Sequence, residues 1–177
     1  YIVGTQTAGF TEIDAATLRV MNIDMPRRLC KSLVYQCRDD GMGNLWLCTN
    51  QGLVRYNPYR RLLRLFDNAN SQLPDKEVFC IDFDLGGRGW ISTRNGNCIY
   101  DPTSETISTK NLPNKFVALG QLRDIQRMED GQMLFLPQRG FPVTADASVL
   151  NFTRLSFDVG EDAPNISFFR KHNGICY

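Results

Sequence analysis

Three pairs of polar residues stand immediately before a glycine: Asn50-Gln51 before Gly52, Arg94-Asn95 before Gly96 and Gln138-Arg139 before Gly140. Long polar side chains of this kind hold polar ligands. An arginine guanidinium grips a carboxylate or sulfate through two parallel N–H bonds. Asn50, Gln51, Arg94, Asn95, Gln138 and Arg139 are therefore the candidate ligand-binding residues. Other chemistry is sparse. His172 is the only histidine, with no Cys or His at metal or nucleophile spacing, whereas a covalent mechanism needs a positioned nucleophile and base. The acidic turns Asp39-Asp40-Gly41, Asp82-Phe83-Asp84 and Glu129-Asp130-Gly131 lack the D-x-D-x-D-G run of a calcium loop; Asp and Gly there serve turn geometry. Glycine-rich phosphate motifs are absent from the sequence. The expectation is a chain with no catalytic residue, no metal and no cofactor.

The elements that must position those pairs follow from a repeat. GNLWLCTNQGLVRYNP at Gly43–Pro58 returns as GRGWISTRNGNCIYDP at Gly87–Pro102, so Trp46 and Trp90 lie 44 residues apart. One step further, Leu134 takes the Trp position, with Gly131 on Gly87 and Gly140 on Gly96; one step back, Ile2 takes it and Thr5 falls on Thr49. Each copy divides into four strand-like runs, such as Val78–Phe83, Gly89–Thr93, Asn97–Tyr100 and Glu105–Thr109, parted by Gly, Asn, Asp and Pro turns. Apolar spacing of three and four is not sustained anywhere, so helices should be few and short.

Four antiparallel strands at a period of about 40 to 50 residues predict an all-β fold, a β-propeller of four-stranded blades. The repeats run over about 1–29, 30–73, 74–117 and 118–163, with 164–177 starting the next blade. A blade needs neighbours on both faces, and Trp46, Trp90, Tyr56 and Tyr100 are expected between blades.

The first copy begins at strand two, and the last has its innermost strand, Asn165 to Lys171, and little more. Those segments could complete one blade of a small four-blade ring, or the chain is a segment of a larger ring. Open edges recruit partners, so a homodimer or packing against further blades is expected.

Composition agrees with a folded domain and narrows its partners. Across 177 residues the net charge is only +1, which argues against nucleic acid. No apolar run reaches the roughly 18 residues of a membrane helix, so any membrane contact would come through flanking segments. The cysteines at 30, 37, 48, 80, 98 and 176 form no C-x-x-C pair. They are expected unpaired in strands, with a disulfide open if the compartment is oxidising.

The phrase from Asp40 to Pro58, D-x-x-G-x-L-W-x-x-T-x-x-G-L-x-R-Y-N-P in outline, and its looser copy from Asp84 to Pro102 resemble the two-component regulator propeller repeat. Cys48 and Asn97 depart from it, standing where Gly and Leu are usual. The resemblance covers the two central copies well and the flanking ones weakly. It implies the periplasmic sensor region of a hybrid two-component histidine kinase of the Bacteroidetes type, built on larger propellers, with the kinase outside this sequence. It also implies signal transduction through a saccharide ligand, an acidic or neutral oligosaccharide. The alternatives are a propeller enzyme such as a lyase, which needs an acid/base pair on the central face, and a protein-interaction scaffold of the WD-repeat kind, whose G-H and W-D phrases are missing.

Loops between strands two and three share one propeller face with the blade connectors. That face should carry Arg94, Arg139, Lys76, Lys115, Arg27 and Arg28, and the opposite face Asp39, Asp40, Asp84, Asp101, Glu129, Asp130 and Asp146. Asp75, Glu77, Arg60 and Arg61 spoil the separation. A basic face would suit an acidic ligand.

Overall fold

Strand two of the second, third and fourth repeats is buried along nearly its whole length. A half-exposed strand alternates apolar and polar residues, but Leu45–Thr49, Gly89–Thr93 and Met133–Pro137 are packed on both sides. Small residues such as Ser92 and Thr93 follow Trp90 and Ile91 there and are fully buried too. Only a sheet sandwiched between two others buries both faces, and the architecture follows from that.

The computed structural model describes residues 1–146, 151–155, 171–172 and 175–176. The first sheet has β1 (Ile2–Gly4), β2 (Phe10–Ile13) and β3 (Val20–Met21). The second has β4 (Val34–Asp39), β5 (Leu45–Thr49), β6 (Gly52–Asn57) and β7 (Leu62–Phe66). The third has β8 (Val78–Phe83), β9 (Gly89–Thr93), β10 (Gly96–Asp101) and β11 (Thr106–Ser108); a short helix, α1 (Asn114–Ala118), follows it. The fourth has β12 (Leu122–Arg127), β13 (Met133–Pro137), β14 (Val143–Asp146) and β15 (Asn151–Arg154). Last come β16 (Lys171–His172) and β17 (Ile175–Cys176). Each sheet is an antiparallel meander in chain order, so the fold is an all-β propeller arrangement of blades. Among the described residues the sheets do not close into a ring.

The cores lie between blades. Trp46 of the second blade packs on Phe83 and Tyr100 of the third, with ring centroids 5.5 and 4.6 Å away. Trp90 repeats this toward the fourth blade, on Phe135 at 5.5 Å, with Phe116 of α1 at 4.8 Å. Phe10, Leu29, Leu47 and Tyr56 join the first blade to the second. Burying each indole contributes on the order of 4 kcal/mol.

Both indole N–H groups reach a carboxylate in the preceding turn: Trp46 to Asp40 and Trp90 to Asp84, each at 3.0 Å. A second clasp recurs at the other strand end, where Thr5, Thr49 and Thr93 donate their hydroxyls to the carbonyls of Gly9, Gly52 and Gly96 at 2.9, 2.7 and 2.7 Å. Gly52 and Gly96 have φ of +130° and +140°, and a Cβ at Gly52 would lie 2.3 Å from the Phe66 carbonyl oxygen. Only glycine fits there.

Asn97 replaces the expected leucine with purpose: its amide donates at 2.9 Å to the carbonyls of both Phe116 and Gly120, tying down α1 and the turn after it. Cys48, Cys80 and Cys98 are buried free thiols, and Cys30 and Cys37 are exposed ones. His172, expected in a turn, lies in β16 opposite Ile175. Apart from Lys171, the strand expected over Asn165 to Lys171 lies outside the described residues. No described helix is long and apolar enough to cross a membrane.

Candidate ligand-binding face

One backbone hydrogen bond gathers the site. The turn between strands two and three is tied to the connector entering its own blade: Asn50 N–H to Leu33, Arg94 N–H to Glu77 and Gln138 N–H to Gln121, at 3.2, 2.9 and 2.8 Å. The three polar pairs and the connector ends therefore occupy one face.

Several of the pairs are already engaged there. Asn50 Oδ1 accepts from the Leu33 N–H at 3.0 Å, Asn95 Nδ2 donates to Asp75 at 2.7 Å, and Arg94 pairs with Glu77 at 2.7 Å. Arg28 pairs with Asp67. The basic excess expected on this face is thus offset by Asp67, Asp75 and Glu77. Gln51 is half-buried, and Gln138 and Arg139 are exposed.

The inner strands add residues that sequence reasoning missed. Register slips between Val34 and Gln36, between Val78 and Cys80 and between Leu122 and Asp124. Each slip leaves one extra residue on the inner strand, a β-bulge that turns its side chain away from the ladder, a device common beside active sites. The bulged residues are Tyr35, Phe79 and Arg123, one per blade at one repeat position. Tyr35 and Phe79 meet edge to face at 5.2 Å. With Gln121, Leu122, Arg123 and Gln138 they line a cleft of about 250 Å³. The Tyr35 hydroxyl donates to Glu77, and burial, reinforced by that carboxylate, pushes the phenol up to about 12. Arg123 is exposed and makes no ion pair among the described residues.

Below the bulges the inner strands carry a polar belt. Asp124 accepts from Gln36 at 2.7 Å, Arg38 at 3.2 Å, its neighbour Ile125 N–H at 2.9 Å and Gln126 at 2.8 Å. Gln36 also accepts from the Ile81 N–H at 2.9 Å. Arg38 Nε, itself buried without a hydrogen-bond partner, lies 3.8 Å from Asp82. Burial raises the Asp82 carboxyl above its ordinary value, against the hydrogen bonds from Arg127 and Phe83 N–H and the Arg38 charge. These bonds stitch the inner strands of the second, third and fourth blades together.

The turns on the opposite face spend their oxygens internally. Asp40 accepts from Met42 N–H, Asn44 N–H and side chain, and Trp46; Asp84 accepts from Arg88 and Trp90.

The fold is shared with proteins of solved structure. The extracellular domain assigned to a hybrid two component system from B. thetaiotaomicron superposes with a TM-score of 0.76 at 23% identity, over 96% of this chain and 23% of that one. A second extracellular domain from that organism, assigned to a one component system, gives 0.65 at 18%, over 86% and 20%. Virginiamycin B lyase from Staphylococcus aureus gives 0.63 at 18%, over 85% and 49%. This chain has the propeller fold of all three. It spans under a quarter of the two extracellular domains' length and about half of the lyase. No protein-family model matches the sequence, and a comparison with curated proteins gives no significant match.

Proposed function

We propose that this chain is a ligand-sensing propeller segment of a two-component sensor, working in the periplasm, and that its ligand is a saccharide. One observation carries the reading: a side chain from each of three blades is bulged out at the same repeat position, beside the exposed Gln138 and Arg139 on the connector face. Packing alone does not require an exposed tyrosine, a half-exposed phenylalanine and an arginine with no ion pair among the described residues to converge there. The shared fold with extracellular domains of signalling systems supports the location.

The groups in the cleft suit holding a ligand better than transforming it. Arginine stays protonated, the amides of Gln121 and Gln138 do not titrate, and Tyr35 is pushed away from neutrality, whereas general acid–base catalysis wants a group poised near the working pH. A glycan panel presented to the full chain tests the proposal. Saturable binding of an oligosaccharide that leaves the probe intact supports it. Failure to bind any glycan, or release of an unsaturated cleavage product, overturns it.

A further inference from the structure

Clefts on both faces compete for a ligand among the described residues. One, about 670 Å³, lies on the opposite face between Met42 and Tyr59, where Arg55 and Arg64 both hold Glu105, at 2.7 and 3.1 Å. The second, about 620 Å³, is lined by Asp84, Asp101, Asp130 and Asp146; Asp84 is held by Arg88 at 2.8 Å, and an acidic cluster is no site by itself. The cleft at the inner-strand bulges is smaller, about 250 Å³, yet its lining comes from one repeat position of three blades, and it sets the rings of Tyr35 and Phe79 beside Arg123, which makes no ion pair among the described residues.

We propose that this cleft binds a single six-membered sugar ring bearing an anionic group, a uronic acid or sulfated hexose. The inference rests on the saccharide reading above and deepens it. Phe79 and Tyr35 offer π-faces and ring edges to the C–H face of a pyranose, whose weakly positive hydrogens suit the aromatic quadrupole. Arg123 meets the carboxylate or sulfate as a two-pronged donor. Gln121 and Gln138, which supply both donors and acceptors, meet the hydroxyls. Glu77 beside the cleft is neutralised by Arg94 and bonded by Tyr35, and Arg123 makes no ion pair among the described residues. A volume below the roughly 300–1,000 Å³ of drug-sized pockets fits one ring, with the rest of a longer chain running across the open face toward Arg139.

Calorimetry with the full chain tests this, using a disaccharide ending in glucuronate and its glucose counterpart. The uronate should bind at least tenfold more tightly than the neutral sugar. Arg123→Gln should abolish that preference, and Arg123→Lys should restore part of it; Arg123 is exposed, so folding is unaffected by either. Phe79→Leu should weaken both sugars, with circular dichroism confirming an intact fold. Equal affinity for the two sugars, or unchanged binding in Arg123→Gln, overturns the cleft while leaving saccharide sensing standing. Absence of binding by any sugar in the panel overturns both.

Discussion

The rings of Tyr35 and Phe79, one repeat apart, meet edge to face at 5.2 Å because each is the extra residue of a bulge in adjacent inner strands. The contact is a consequence of the repeat: equal bulges on neighbouring blades aim equivalent side chains at one another. Its functional weight lies in the ring and not in the hydroxyl, which is occupied by Glu77. Tyr35→Phe should therefore leave sugar affinity within about twofold, whereas Tyr35→Ala, losing aromatic contact worth roughly 1 kcal/mol, should weaken it about fivefold. Titration calorimetry on the two variants checks the ordering; a larger loss in Tyr35→Phe would contradict it.

The Asp40 carboxylate is a structural clamp. Burial opposes its ionisation, but hydrogen bonds from Trp46, Asn44 and Met42 outweigh burial and hold the carboxyl below its ordinary value of 3.8. A depressed carboxylate stabilises the native state at every pH above its unfolded value, and that contribution is lost as pH falls through the folded one. Asp40→Asn should cost about 1–2 kcal/mol near pH 7, at the low end for charged hydrogen bonds because the site is half-exposed. The difference should shrink below pH 3.8. Urea unfolding at pH 7 and pH 3 measures it; a cost that stays constant would contradict the clamp.

Asp82 should behave with the opposite sign. Its carboxyl is raised by burial, so between the unfolded and folded values the native state holds more protons than the unfolded chain. Its contribution is fully present below the unfolded value and is lost as pH rises through the folded one. Relative to Asp82→Asn, the wild type should gain stability as pH is lowered from 7 toward 4. Parallel stability profiles for the two proteins would show that Asp82 ionises without penalty.

The belt around Asp124 predicts coupling between blades. Arg38→Ala should cost about 1–2 kcal/mol, less than the roughly 3–5 of a fully buried pair, because the Arg38 side chain keeps 30% exposure. Combined with Asp124→Asn, the losses should be non-additive, since the two residues share a bond. Additive losses in chemical unfolding would mean that the belt does not join the second blade to the fourth.

Much of this was legible in the amino-acid order, for a physical reason. Trp46 and Trp90 with their turn aspartates do the same job in the second and third blades, and the Thr–Gly clasps in the first three, so they recur at the blade period. The polar pairs were legible as to position, since a turn before a left-handed glycine must lie on one face. Their bonding was not: the partners Leu33, Asp75 and Glu77 sit in connectors that do not repeat chemically. Tyr35, Phe79 and Arg123 were missed because a bulge carries no compositional mark, and three different residue types hide a common role. The signal was there in register, one residue into each inner strand. Asn97 read as a weakened match because its partners, the carbonyls of Phe116 and Gly120, are backbone atoms invisible in side-chain patterns.

The most direct measurement is amide chemical-shift mapping of the isotopically labelled full chain, titrated with the glucuronate-ended disaccharide. Saturable shifts should centre on Tyr35, Phe79, Arg123 and Gln138 and leave the opposite-face turns at Met42, Tyr59 and Leu85 unmoved. Shifts centred on those three turns, with the inner-strand bulges silent, would contradict the assignment of sensing to this face.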